Sequence, residues 1–287
     1  MHEFFQALAD PGLPFLRYAV IAGLMAGVSF GVVGTYVVVR RISYLAGAIA
    51  HCVLGGIGVA LWLQRAHGVA WCTPLLGALA AALAAAVVLG LVSLYAQQRE
   101  DTLIGALWAV GMAVGILFIA RTPGYVDAMS YLFGNILLVS RQDLWIIGAL
   151  DALVIVLVVT FYPHFFAVCF DGTFAQLRGV PVKIYYLLLL LMTALTVVLL
   201  VSVVGIVMVI ALLTLPAAIA GHFTQRLWTM MVLAAGLSVT FTTAGLAVSY
   251  RLEMPSGPVI ILLAAVTYLV VAVGSRIARG RRVGGAA

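Results

Sequence analysis

The chain has 287 residues, 65% of them hydrophobic and only 8% charged, with a formal net charge of +6. A soluble domain carries about 25% charged residues and must cover its surface with polar groups, so a soluble globular fold is excluded and the expected class is an all-α integral membrane protein. The basic residues gather at segment ends rather than along one stripe, which argues against a nucleic-acid partner.

Residues 1–17, "MHEFFQALADPGLPFLR", hold two acids and two prolines and lack the basic start and apolar block of a signal peptide. They read as an interfacial helix with Phe4, Phe5 and Leu8 on one face. A spanning helix needs about 20 mostly apolar residues. Such runs occur near 18–39, 42–64, 74–96, 102–120, 143–162, 184–203, 204–221, 227–250 and 257–275. Thr73-Pro74 and Gly257-Pro258 mark helix starts, and Asp101 and Asp143 sit where a carboxylate favours the positive end of a helix dipole. The stretch 184–221 is too long for one span and has Gly205 as its obvious break. The count is therefore nine, or eight if 204–221 is short or re-entrant.

In the first span Gly23, Gly27, Gly31 and Gly34 recur at three- or four-residue spacing. This is a close-packing signal for a bundle or a dimer seam. The second span, in "RRISYLAGAIAHCVLGG", places the imidazole of His51 in an apolar run. Asp151 is the only acid expected in mid-span. His67, Trp71 and Cys72 share one outer loop, His164 falls in a later connection, and His222 in a loop beside Arg226. Three cysteines in separate segments (Cys52, Cys72 and Cys169) argue against a disulfide framework.

Nine spans put the termini on opposite sides, and the positive-inside rule chooses between them. One arrangement collects Arg40, Arg41, Arg99, Arg178, Lys183, Arg226, Arg276, Arg279, Arg281 and Arg282 on one side, leaving Arg17, Arg65, Arg121, Arg141 and Arg251 on the other. The expected orientation has the C-terminus in the cytoplasm and the N-terminus outside. The outer 121–143 segment then contains its own half-buried helix or plug. The inner 162–183 segment, with Phe166, Phe170, Phe174 and Leu177, reads as a docking surface. The tail 276–287 is basic and cytoplasmic.

No P-loop, HExxH, CxxC, GxSxG or GxGxxG pattern occurs. With a single mid-span acid, the chain is also poor in the groups that proton- or sodium-coupled carriers use. It reads as a permease powered by another subunit, not as an enzyme.

Five stretches in order resemble the permease subunits of ATP-binding-cassette importers for manganese, zinc and iron. They are "VVRRISYLAGAIAHCVLGG", "YLFGNILLVSRQDL", "FDGTFAQLRGVPV", "VGIVMVIALLTLPAAIA" and "LEMPSGPVIILLAAVTYLV". The resemblance covers about residues 18–275 and implies one permease domain over 1–287, similar in fold to the vitamin B12 and siderophore permeases. It implies a homodimer in the lipid membrane, two ATPase subunits and an extracytoplasmic metal-binding protein. It also implies that a divalent metal is the transported substrate and that this chain needs no bound cofactor. The inner loop, 163–183, becomes the coupling loop, with Phe170, Asp171, Phe174, Ala175, Leu177 and Gly179 as its ATPase contacts.

The resemblance also implies a metal route past His51, with an aspartate four residues before it. Here that position is Gly47. Asp151 is the remaining mid-membrane ligand candidate, and a site dominated by imidazole tilts the expected cargo toward zinc. Two other classes remain open, a gradient-driven carrier working alone and a non-transporting membrane anchor.

Overall fold

The computed structural model describes residues 14–95, 100–134, 136 and 139–284. Its helices are α1 (Pro14–Val39), α2 (Ser43–His67), α3 (Pro74–Tyr95), α4 (Glu100–Arg121), α5 (Ala128–Phe133), α6 (Arg141–Phe170), α7 (Gly172–Leu177), α8 (Val182–Val204), α9 (Ile206–Phe223), α10 (Leu227–Leu252) and α11 (Ser256–Gly284). Among the described residues nine helices are long and apolar enough to cross a membrane, which resolves the alternative of eight. The expected interfacial helix with Phe4, Phe5 and Leu8 lies outside the described residues, as does Arg99.

Local signals act where the sequence places them. Thr73 accepts a bond from Leu76 N at 3.4 Å as α3 starts at Pro74. Ser140 and Asp143 form a reciprocal capping box at the head of α6, with Ser140 N donating to Asp143 at 2.8 Å and Asp143 N to Ser140 Oγ at 3.2 Å. Gly205 divides α8 from α9 with φ of 80°, a conformation that favours glycine.

The glycine row of α1 packs within the chain. A Cβ on Gly23 or Gly27 would strike the side chains of Thr242 or Val239, and one on Gly31 would meet Ala235 N at 2.3 Å. One on Gly34 would meet Leu213 O at 2.1 Å. The row therefore seats α10 and α9 against α1, and the choice between bundle and dimer seam resolves to the bundle. Helices α1 and α2 form the buried centre, while α4 and α11 bury least and turn broad apolar faces outward.

Several connections differ from expectation. The helix expected to end near 162 continues to Phe170 through Pro163. Proline removes one backbone bond, but the following turns are held by packing. Phe165 and Val168 are fully buried, Phe165 lies edge-on to Tyr36 at 5.4 Å, and His164 stacks on Tyr185 at 4.5 Å. His164 is thus a helix residue, not part of a loose connection. His222 occupies the last turn of α9 rather than a loop. The basic tail is helical to Gly284, since nothing in "SRIARGRRV" breaks the helix.

The two ends of the bundle are distinct. At one end Arg40 lies 5.6 Å from the ring centre of Tyr186, and Lys183 lies 4.3 Å from that of Tyr95. At the other, α5 crosses the α8–α9 break. A Cβ on Gly134 would meet Val204 C at 2.2 Å, and one on Gly257 would meet Phe133 O at 2.5 Å. Asp127 caps α5, accepting from Met129 N at 3.0 Å and Ser130 Oγ at 2.8 Å. Those bonds, the one from Ser130 first, hold its carboxyl below the ordinary value. Exposed Trp71, Tyr125 and Trp145 ring this end, and Tyr44, Tyr95 and Trp228 ring the opposite one, as expected at two membrane–water boundaries.

Candidate functional site

His51 lies on α2, the most buried of the spanning helices, and is itself only 6% exposed. Its Nδ1 is buried with no hydrogen-bond partner. Leaving such a group unsatisfied costs about 1–3 kcal/mol, so the position is held against a stability penalty.

The ring is not bare. The indole of Trp108, on α4, stacks on it with centroids 4.2 Å apart and planes at 24°. The space for that indole comes from Gly47, where an added Cβ would lie 2.7 Å from Trp108 Cζ3. The absence of a side chain one turn before His51 thus has a steric counterpart on the next helix. Trp108 went unnoticed in the sequence because one tryptophan in "IGALWAVGMAVG" looks like lipid-facing bulk. The available clue was glycine at 47, a vacancy that some neighbour has to fill.

Helices α2 and α4 run in the same direction and meet closely. A Cβ on Gly111 would meet Cys52 Cα at 2.8 Å, and one on Gly58 would meet Gly115 O at 2.5 Å. Cys52 Sγ donates to Leu107 O at 3.5 Å. Beyond the stack a cavity of about 530 Å³ opens between α2, α3 and α4, lined by Cys52, Gly55, Gly77, Ala81 and Gly111 among others. On the side nearer the heads of α2 and α4 lies a second cavity of about 410 Å³, lined by Tyr44, Asp101, Ile104, Gly105 and Trp108.

Asp151 has a different setting. It is buried between α6 and α1, where Ser29 Oγ donates to its carboxyl. The structure gives His51 and Asp151 separate partners, Trp108 for one and Ser29 for the other. Among the described residues no three His, Cys, Asp or Glu side chains gather as a metal cluster. His67 is not in the outer loop but is the last residue of α2, where its ring lies edge-on to Trp62 at 4.4 Å. Cys52, Cys72 and Cys169 are all free thiols.

The inner loop condenses into α7. Asp171 caps it, accepting from Phe174 N at 2.8 Å, and Val180 N bonds back to Ala175 O at 3.0 Å. Gly179, with φ of 80°, turns the chain out of the helix. Phe170, Phe174 and Leu177 are exposed, Leu177 by 82%. Ala175 is buried at 2%, so of the six residues expected to touch a partner it is the one that faces the bundle instead.

Among the described residues, nine helices long and apolar enough to span a membrane, a buried histidine at an interhelical seam and a short helix with a bare apolar face define a polytopic membrane protein. The chain belongs to the ABC 3 transport family, whose model matches residues 12–275. It is 43% identical over 257 residues to an uncharacterized membrane protein of Synechocystis, covering 89% of each chain. A probable metal transport system membrane protein of Chlamydia trachomatis is 38% identical, over 89% of this chain and 87% of that one. The manganese transport system membrane protein MntC of Listeria monocytogenes is 34% identical, over 89% of both. Among solved structures, PsaBC from Streptococcus pneumoniae in complex with Fab matches with a TM-score of 0.82 at 29% identity, over 94% of each chain. An inward-facing metal-chelate type ABC transporter matches with a TM-score of 0.70 at 13% identity, over 90% and 86%, a likeness of fold. The chain is therefore the membrane component of an ABC transporter and not an enzyme, and ATP hydrolysis belongs to a separate subunit.

Proposed function

We propose that this chain is the translocating subunit of an ATP-driven importer of divalent transition metals, and that His51 lines the route. The observation that carries the reading is the buried, unpartnered Nδ1 of His51 on the central helix α2. An intramembrane polar group left without a partner marks a substrate path more readily than a packing contact. Membership of the ABC 3 transport family and the relatives named for metal transport support the class of cargo.

The working assembly is a homodimer of this chain over two ATPase subunits, fed from outside by a metal-binding protein. The N-terminus is outside and the C-terminus in the cytoplasm, which follows from ten of the fifteen basic residues falling on the inner side. In that orientation α5 is the outer plug and α7 the cytoplasmic coupling helix. Closure of the ATPase pair pushes on α7 and, through the continuous α6, on the bundle.

The metal is zinc on the chemistry of the site. Imidazole without an adjacent carboxylate suits zinc better than manganese, which prefers oxygen ligands. The manganese systems among the relatives favour the other cargo, and competition decides between them. In cells relying on this transporter, His51→Ala abolishes uptake of radioactive zinc and manganese while the ATPase still co-purifies. Undiminished uptake by that variant removes His51 from the route. Preferential loss of manganese uptake from wild type when zinc is added in equal amount supports zinc, and the reverse supports manganese.

A further inference from the structure

We propose that Trp108 is the gate over His51, an indole that must leave the Gly47 notch before a cation can reach the imidazole. The inference rests on the reading of His51 as part of the route, and adds a residue from a different helix.

Three independent features of the geometry converge on it. The indole covers one face of the imidazole at 4.2 Å. It sits where any side chain at position 47 would have to be, 2.7 Å from the site of a Cβ. And the stack falls between two cavities along both helices. On α2 the order is Tyr44 in one cavity, Gly47 and His51 at the stack, then Cys52 and Gly55 in the other. On α4 Asp101, Ile104, Gly105 and Trp108 line the first, and Leu107, Val110, Gly111 and Val114 line the second. Trp108 itself lines the nearer space, and its neighbours Leu107 and Val110 line the other.

The physical case for movement is the contrast between ring and backbone. The α2–α4 seam is locked by glycine-to-backbone contacts at Gly58, Gly111 and Gly115, so the helices cannot part locally without breaking several at once. The indole is held by stacking, worth about 0.5–1.5 kcal/mol for an aromatic pair, and it borders an open cavity. A rotamer change of Trp108 into the 410 Å³ space uncovers His51 while the helices stay in place. Asp101, two turns before Trp108 on α4, lines that same space and supplies a carboxylate to a cation that has passed the ring.

The test uses membrane vesicles containing the full chain assembled with its ATPase. His51 is modified with diethylpyrocarbonate, and the modified peptide is quantified by mass spectrometry. Trp108→Ala removes the lid, whereas Gly47→Ala keeps the indole but displaces it from the notch. Both raise the modification rate of His51 at least about tenfold, as expected when an open state populated at up to ~10% becomes dominant. Trp108→Phe, which retains a ring to stack, stays near wild type. Wild-type rates in both Trp108→Ala and Gly47→Ala overturn the gate, and Gly47→Ala answers alone should the larger truncation fail to assemble. The two readings separate cleanly. If both variants expose His51 but His51→Ala still imports metal, the indole is a cover over the ring but the route past His51 falls, and the gating role falls with it. If His51→Ala is inactive and neither variant exposes the ring, the route stands and the gate falls.

Discussion

At the scale of single residues, His51 and Asp151, two of the polar side chains buried among the spanning helices, have different settings. His51 keeps a buried nitrogen without a partner, whereas the carboxyl of Asp151 accepts a bond from Ser29 across the α1–α6 interface. A hydrogen bond between spanning helices contributes about 0.6 kcal/mol on average, and stranding a buried acceptor costs about 1–3 kcal/mol. The second effect dominates when only the donor is removed. Ser29→Ala therefore lowers stability by about 1–2 kcal/mol, read as a fall in the thermal unfolding midpoint in detergent. Asp151→Asn still accepts from Ser29 and retains metal uptake if the pair is a helix clamp. Uptake falling to the level of His51→Ala would instead put Asp151 on the route.

At the scale of elements, helix approach is decided by what a glycine faces. Gly31 and Gly34 face backbone atoms of α10 and α9, which can yield only if a whole helix shifts, while Gly23 faces the Thr242 side chain. Overpacking costs about 1–3 kcal/mol. Gly31→Ala and Gly34→Ala are expected to fall in that range, with Gly23→Ala milder. Gly236, in the interior of α10 with nothing within 4 Å, is the internal control. Gly236→Ala should stabilise by about 0.5–1 kcal/mol through helix propensity alone. Thermal unfolding of the four variants gives the order, and a destabilised Gly236→Ala would contradict the steric account. The pairing of Gly134 with Gly205 is the same device at a chain break, where two backbones touch and α5 is fastened across the α8–α9 junction.

At the scale of the whole molecule, α6 links the two ends. Its 30 residues rise about 1.5 Å each, giving a rod of about 45 Å, longer than a hydrocarbon core of about 30 Å. It reaches from the α5 side to α7 as one helix, with Pro163 inside it. On α7 Phe174 and Leu177 are exposed and Ala175 is buried. Leu177→Asp and Phe174→Asp should abolish co-purification with the ATPase and leave the unfolding midpoint of the chain unchanged. Ala175→Arg should lose the ATPase and also lower the midpoint, because it forces a charge under the helix. If the two aspartate variants keep the ATPase, the exposed face of α7 is not its seat.

Composition and run length were enough to narrow the membrane-spanning helices to eight or nine, with most of their ends, the break at Gly205 and the prominence of His51, because lipid imposes length and apolarity on each segment separately; nine among the described residues was decided by the structure. The ordered motifs were enough to indicate the permease family. The continuation of α6 through Pro163 was not legible, since it depends on aromatic packing from α1 and α8. Nor could the chain alone assign the α1 glycines to α9 and α10, pair Ser29 with Asp151, or place Trp108 in the space left by Gly47. These are contacts between residues far apart in sequence. A residue's own neighbours record how it sits in its helix, but the side chain that fills an empty position on it comes from another helix, and only the packed bundle brings the two together.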